Sequence, residues 1–241
     1  VASAQRASLP HTRGLAAPAG DLFSVACVDT RTCIAVGGSI KEDNNTGSML
    51  ITRDGGHIWQ RQPGIAHAAG NLDSVTCPGA RTCIAGGEGG ILLTTDAGRT
   101  WQRREDQVHI IVSMACPSVT ICYAAGGNGA IIVTTDGGQT WRRESLSGRP
   151  LSPNSTLFTA IACPTVLRCF VTGRTLNLNA LIVATTDGGR TWTRQRVVDK
   201  GLSEGLLGGI ACLNERVCFV ADDSGILAWI IHDDDYRIRY D

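Results

Sequence analysis

Thr134-Thr135-Asp136-Gly137-Gly138-Gln139-Thr140-Trp141 is the stretch on which the fold turns. An apolar run, Ile131-Ile132-Val133, leads into it, and a polar alternating stretch follows. Asp and Gly between two strand-like runs make a tight hairpin turn. The Asp side chain accepts from turn N–H groups, and Gly supplies the positive φ. The Trp that closes the stretch is expected to pack between sheets. The same pattern, Thr-x-Asp-x-Gly-x-Thr-Trp with small variations, recurs three more times. It yields Asp54 and Trp59, Asp96 and Trp101, Asp136 and Trp141, and Asp187 and Trp192. A fifth copy, aligned without a gap from Gly225-Ile226-Leu227, has Ile231 in place of Asp and Tyr236 in place of Trp.

A pair of cysteines precedes every copy at one spacing, Cys-x5-Cys. The pairs are Cys27/Cys33, Cys77/Cys83, Cys116/Cys122, Cys163/Cys169 and Cys212/Cys218, which uses all 10 cysteines. Turn residues lie inside each pair and apolar runs flank it, so each pair is read as the neck of a β-hairpin. Opposed strand positions lie close enough for a disulfide. An even count at a repeated spacing reads as a disulfide framework, whereas zinc sites favour Cys-x2-4-Cys with nearby His. Short-loop bridges of this kind stabilise by about 2 kcal/mol each. They persist in oxidising compartments, so a secreted or otherwise extracytoplasmic protein is expected. The start Val1-Ala2-Ser3-Ala4-Gln5 has no charged-then-apolar leader, which is the expectation for a processed chain.

Each unit thus contains four short strands; in unit two they fall near 72–77, 82–87, 90–95 and 100–104. Four antiparallel strands in every 40 to 50 residues is the pattern of a propeller blade. The expectation is an all-β, five-bladed β-propeller with a hairpin disulfide in each blade. Blades are expected near 21–64, 71–106, 110–146, 157–198 and 206–241, with residues 1–20 as an arm or ring-closing segment. Strand one of each unit carries small residues, as in Ser24-Val25-Ala26 and Ser74-Val75-Thr76, which suits crowded inner strands.

The repeated motif resembles the Asp-box, or BNR repeat, over about 200 residues of the chain. Its paired-cysteine form is similar to exported bacterial Asp-box proteins. More distantly it resembles the propellers of sialidases and other glycosidases, sortilin-type receptors and photosystem II assembly factors. The resemblance implies a propeller in which the box is structural and the active or binding site lies elsewhere.

Composition narrows the function. Lys+Arg is 22 and Asp+Glu is 22, so the net charge is zero, and mean hydropathy is +0.03. That balance argues against nucleic acid as a partner. No apolar run reaches the roughly 20 residues of a membrane-spanning helix. No nucleophile, phosphate-loop or metal-binding motif is present, so no catalytic residue, metal or cofactor is assigned.

Hairpin logic puts the cysteine turns and the Asp-boxes on one face. The loops between strands two and three, and the connections between blades, then share the other face. That second face carries the irregularity. The span from second cysteine to box position is 21 residues in unit one and 18 in unit four, against 13, 14 and 13 elsewhere. Variable loops on a rigid scaffold are where binding concentrates. Its candidate residues are Glu42, Asp43, Glu88, Asn128, Arg174, Asp222 and Asp223, with Glu88, Asn128 and Asp223 expected at matching loop positions.

The leading expectation is a non-catalytic binding or scaffold module for a glycan or protein ligand. A sialidase-like glycoside hydrolase using carboxylates such as Glu88 and Asp223 is the alternative, and a self-assembling extracellular structural protein the second. Asn44-Asn45-Thr46 and Asn154-Ser155-Thr156 fit the N-glycosylation pattern. Arg61, Arg103, Arg143 and Arg194 each lie two residues after a box Trp, with Arg237 and Arg239 flanking the equivalent place in unit five. They predict a basic outer rim, serving either as a band for anionic polymers or an acidic partner, or as edge protection.

Overall fold

The structure is a computed structural model that describes residues 21–39, 46–62, 70–104, 108, 110–146, 156–177, 179–195, 207–222, 225–230 and 237–239. These residues form five four-stranded antiparallel sheets, each in simple meander order, with one short 3-10 turn at Gly127–Gly129. Blade two is representative: Leu72–Thr76, Cys83–Gly87, Gly90–Thr94 and Gln102–Arg104 run from the inner strand to the outer. The two middle strands of blades two and three are buried throughout, which is why they read as unbroken apolar runs. Among the described residues no helix is long and apolar enough to cross a membrane.

All ten cysteines are bridged within their own hairpins, as the spacing predicts: Cys27–Cys33, Cys77–Cys83, Cys116–Cys122, Cys163–Cys169 and Cys212–Cys218. The bridged positions face each other in every blade. Cys27 pairs with Cys33 and Cys212 with Cys218 within the strands. In blades two, three and four the pairs Thr76–Ile84, Ala115–Tyr123 and Ala162–Phe170 put the cysteines one step further along the same register. All five bridges span Cα–Cα distances of 3.9 to 4.0 Å. The five bridges differ in burial, although their spacing is the same. Cys83, Cys122, Cys169 and Cys218 are fully buried, each packed in the junction with the preceding blade. Cys33 is only partly buried and Cys27 is exposed, for no preceding blade covers them among the described residues.

The core lies between blades. At the one/two junction Ile34, Val36, Met49 and Ile51 pack on Leu72, Val75, Leu92 and Trp101. At two/three Ile84, Ile91 and Leu93 meet Ile111, Met114, Ile132 and Trp141. At three/four Tyr123, Ile131 and Val133 meet Phe158, Ile161, Val183 and Trp192, with Tyr123 and Trp192 edge to face at 5.8 Å. Each blade therefore offers a front to its successor and a back, carrying the box Trp, to its predecessor.

The small residues of the inner strands have a polar reason as well as a steric one. The Val75 N–H donates to Ser24 Oγ at 3.1 Å, Met114 N–H to Ser74 Oγ at 3.1 Å, and Ile161 N–H to Ser113 Oγ at 3.2 Å. Each serine hydroxyl thus satisfies a backbone N–H of the next blade. Unit four has Ala160 at this place, and the neighbouring Thr159 hydroxyl donates instead to the Leu207 carbonyl.

The inner strands follow one another around the axis from blade one to blade five. Among the described residues no comparable packing joins blade five back to blade one, so the sheets form an open row where the sequence predicts a closed ring. Gly209 holds the serine place in blade five and offers no hydroxyl to Val25. Leu22 and Val25 on the back of blade one are 48% and 62% exposed. Their counterparts Leu72 and Val75 are 0% and 6% exposed.

Unit five also departs from the gapless alignment. Cys218 pairs with Trp229 and Trp229 with Ile238, whereas Thr52 pairs with Trp59. The last hairpin is two residues longer than the other boxes. Ile238, not Tyr236, therefore takes the register place of the box Trp. By register Trp229 stands in place of the Thr that anchors the other boxes.

Candidate functional site

The Asp-turn face is built for rigidity. In blade two Thr94 Oγ1 donates to Asp96 Oδ1 at 2.8 Å, and Gly98 N–H donates to Thr94 Oγ1 at 3.0 Å. Thr100 N–H donates to Asp96 Oδ1 at 2.9 Å and its hydroxyl to Oδ2 at 2.5 Å. The same pattern repeats at Asp136 and Asp187, and at Asp54 without the final hydroxyl, because Ile58 stands there. A backbone bond then ties each turn to the cysteine hairpin of its own blade: Ala97 N–H donates to the Arg81 carbonyl and Gly137 N–H to that of Thr120. Both turns thus lie on one face. Burial works against ionisation of Asp136, but the Thr140 hydroxyl and amide and the Thr134 hydroxyl outweigh it, holding the carboxyl at about 2. The carboxylates are consumed by their own turns, and the cysteines by their bridges, which leaves this face little spare chemistry.

The opposite face holds the turns between strands two and three and the starts of the inner strands. Glu88 is exposed in the two-residue turn between Gly87 and Gly90. The loop comes close to the inner strand because Gly87 lies there: a Cβ on it would sit 1.8 Å from the Asn71 carbonyl oxygen. The Glu88 N–H donates to that same carbonyl at 2.9 Å. Beside it stands Asp73, half-buried on the inner strand. Burial first, and then the Glu88 carboxylate, push the Asp73 carboxyl up to about 6. Asp73 was not among the sequence candidates. Its signal is present in the repeat, since it occupies the irregular inner-strand place held elsewhere by Phe23, Val112 and Thr159.

The other candidates are distributed around this face. Asn128 is exposed and left-handed, with φ 57°, in a turn one residue longer than that of Glu88. Its place is therefore similar to that of Glu88 but not the same. Arg174 is partly buried at the end of Cys169–Thr175, opposite Ala180. Asp222 closes Val217–Asp222 and takes the place of the repeat glycines Gly37, Gly87, Gly126 and Gly173. Glu42, Asp43 and Asp223 lie outside the described residues, as do the asparagines of both glycosylation motifs. Among the described residues no cluster of His, Cys, Asp or Glu could hold a metal ion.

Two further groups are placed away from this face. Tyr123 is buried at the three/four junction, and burial followed by Glu144 pushes its hydroxyl up. Glu144 is itself buried, which raises its carboxyl, and is paired with Arg142 Nη1 at 2.8 Å. This Tyr and Glu are junction residues, closed off from a ligand. Arg61, Arg103, Arg143 and Arg194 are exposed on the outer strands, opposite Leu50, Leu92, Ile132 and Val183 in one register.

Residues 132–143 match the BNR/Asp-box repeat profile, and these residues contain the Thr134, Asp136 and Thr140 bonding pattern. The turns are Asp-boxes. Comparison with curated proteins returns no match. Among solved structures, YCF48 from Cyanidioschyzon merolae is similar at 15% identity and TM-score 0.65, over 91% of this chain and 72% of that one. An ancestral GH74 enzyme is similar at 14% identity and TM-score 0.67, over 91% of this chain and 31% of that one. The WD40 β-propeller domain of Doa1 is similar at 13% identity and TM-score 0.62, over 94% of this chain and 71% of that one. At these identities the likeness is one of fold. The Asp-box repeat chain is a propeller-like assembly of disulfide-stapled blades, and its five bridges suit an oxidising, extracytoplasmic setting.

Proposed function

We propose that the chain is a secreted, non-catalytic binding module that takes a glycan or a protein through the face opposite its Asp-boxes. The observation that carries this reading is the Asp73 and Glu88 pair. A half-buried carboxyl beside a second carboxylate is unfavourable for folding, and such groups concentrate at functional sites. The Asp-boxes on the other face spend their polar atoms on their own turns, so the two faces divide into scaffold and contact surface. Asp222, in place of a repeat glycine, and the longer loops of units one and four supply further variation on the contact surface.

A second reading is a glycoside hydrolase, favoured by the same pair. A carboxyl near 6 beside a second carboxylate is the pairing that a general acid and its partner use. A glycan array read for retained protein and shortened glycans together separates the two, using the native chain and the Asp73→Asn/Glu88→Gln variant. Retention without cleavage, lost in the variant, supports the binding module. Cleavage that the variant loses while keeping its thermal midpoint makes it an enzyme. Retention that the variant keeps places the contact surface elsewhere.

A further inference from the structure

One groove lies on the outer rim between blades two and three, away from the face discussed above. It has a volume of about 210 Å³ and is lined by Leu93, Thr95, Thr100, Gln102, Arg104 and Gln139. Blade two supplies all but Gln139, which comes from the Asp-box turn of blade three.

The repeat shows what is unusual there. The residue three past the box Trp is Gln62, Arg104, Glu144 or Gln195 in blades one to four. In blade three Glu144 is paired with Arg142. In blade four the Gln195 amide donates to the Thr193 carbonyl and hydroxyl. Each takes its partner from the residue two places before it. In blade two Arg104 Nη2 donates to Gln102 Oε1 at 2.8 Å, but Arg104 Nε is buried with no partner among the described residues. A guanidinium presents five N–H donors in a fixed fork, and a buried one left unmet is costly. The groove itself has a steric origin. At the three/four junction Tyr123 fills the corresponding space, its ring and hydroxyl lying against the Gly189 turn. At two/three the shorter Ile84 stands there.

We propose that this groove binds one uronic acid unit of an anionic polysaccharide. The Arg104 fork matches a carboxylate, the arrangement in which Arg exceeds Lys. Among the described residues no acidic side chain lines the groove. The Gln102 and Gln139 amides and the Thr95 hydroxyl offer both donors and acceptors, which suits ring hydroxyls. The volume of about 210 Å³ has room for one sugar ring. The exposed arginines of the neighbouring outer strands, Arg103 and Arg143, raise the local concentration of such a polymer without reading it.

The test is calorimetric titration of the intact protein with a galacturonate trimer and with its neutral methyl ester. Saturable binding of the acid is expected, with the ester at least about tenfold weaker. Arg104→Gln and Arg104→Lys are expected to weaken binding by about tenfold, since both lose the fork. Gln139→Ala, on an exposed turn, is the variant that leaves the core untouched and is expected to weaken it by about threefold. Arg194→Gln, on another blade, is expected to change it less than about twofold. No saturable binding, equal binding of the ester, or equal losses in Arg104→Gln and Arg194→Gln would each overturn the groove as the site. A variant of Asp73 and Glu88 leaves this titration unchanged, so the outcome is independent of the opposite face.

Discussion

The back of blade two and the back of blade one have the same residues at the same places and opposite surroundings. Leu72 and Val75 are buried under Ile34, Met49 and Ile51 of the preceding blade. Leu22 and Val25 have no such cover among the described residues. A blade in this fold is therefore half a core. Its four strands bury little until a neighbour's front closes on its back, and the hydrophobic gain belongs to the junction rather than to the sheet. Among the described residues, the seam between blades five and one is where that gain is missing.

The sharpest way to break this comparison is a pair of matched truncations. Leu72→Ala opens a cavity in a closed junction and is expected to cost about 3 kcal/mol in urea unfolding. Leu22→Ala removes an exposed side chain and is expected to cost less than about 1 kcal/mol. Equal costs would mean that the back of blade one is covered in solution, and that the row closes into a ring.

The serine bonds sharpen the same contrast. Ser74→Ala strands the Met114 N–H inside the two/three junction and is expected to cost about 2 kcal/mol. Gly209→Ser adds the missing hydroxyl at the seam. The place has room, since a Cβ there meets nothing within 4 Å. An open row leaves the stability of Gly209→Ser within about 0.5 kcal/mol of the native chain. A gain near 1 kcal/mol would show Val25 taking up the new acceptor.

Acid and base act differently on the two faces. Asp73 has its folded value raised from 3.8 to about 6, so the native state holds a proton that the unfolded chain releases earlier. Its contribution is most favourable below about pH 4 and is lost as pH rises towards 6. Asp73→Asn is expected to flatten that decline. The box carboxylates have the opposite sign. Asp136 is lowered to about 2, so its stabilisation is complete above about pH 4 and is lost as pH falls towards 2. Thermal midpoints recorded across pH 2 to 7 for the native chain, Asp73→Asn and Asp136→Asn separate the two windows. A midpoint for Asp73→Asn that tracks the native chain between pH 4 and 6 would remove Asp73 from the account.

The fold was legible because its signals are local and repeated. A disulfide neck, an apolar run and an Asp turn recur in order, and each sets strand register by itself. The candidate site was less legible. Glu88 stands out in its loop, but Asp73 reads as one polar residue in a strand, and the close approach at Gly87 and the Glu88–Asn71 backbone bond bring the strand and loop together. Asn128 shifts because its turn gains a residue that the count from cysteine to box dilutes. The open seam was invisible for a related reason: Leu22, Val25 and Cys33 match their counterparts in type, and burial depends on what stands opposite. Spacing alone makes Cys33 and Cys122 equivalent, yet only Cys122 has a preceding blade to cover it. The two-residue extension of the last hairpin also escaped, since Trp229 and Ile231 erase the marks by which the turn would be measured.

The smallest expected effect lies inside one Asp-box and compares it with its three neighbours. The first turn position is Gly55, Gly137 or Gly188 in three boxes, each at a φ of 72° to 77°. Blade two has Ala97 there, held at φ 59°. A Cβ in the left-handed region costs roughly 1 kcal/mol or more, because it crowds the following carbonyl oxygen. The Ala97 N–H still donates to the Arg81 carbonyl at 2.8 Å, so the turn keeps its bond to the cysteine hairpin and bears the strain. Ala97→Gly removes the strain but gives the unfolded chain more freedom, which offsets part of the gain. The net expectation is a stabilisation of about 0.5 kcal/mol, read as a small rise in the thermal midpoint. Gly137→Ala in blade three imposes the same strain on an otherwise matching box and is expected to lose about 1 kcal/mol. Opposite signs for the two substitutions would make the turn conformation the cause. A loss in Ala97→Gly would show that the Ala97 methyl has a contact worth more than the strain.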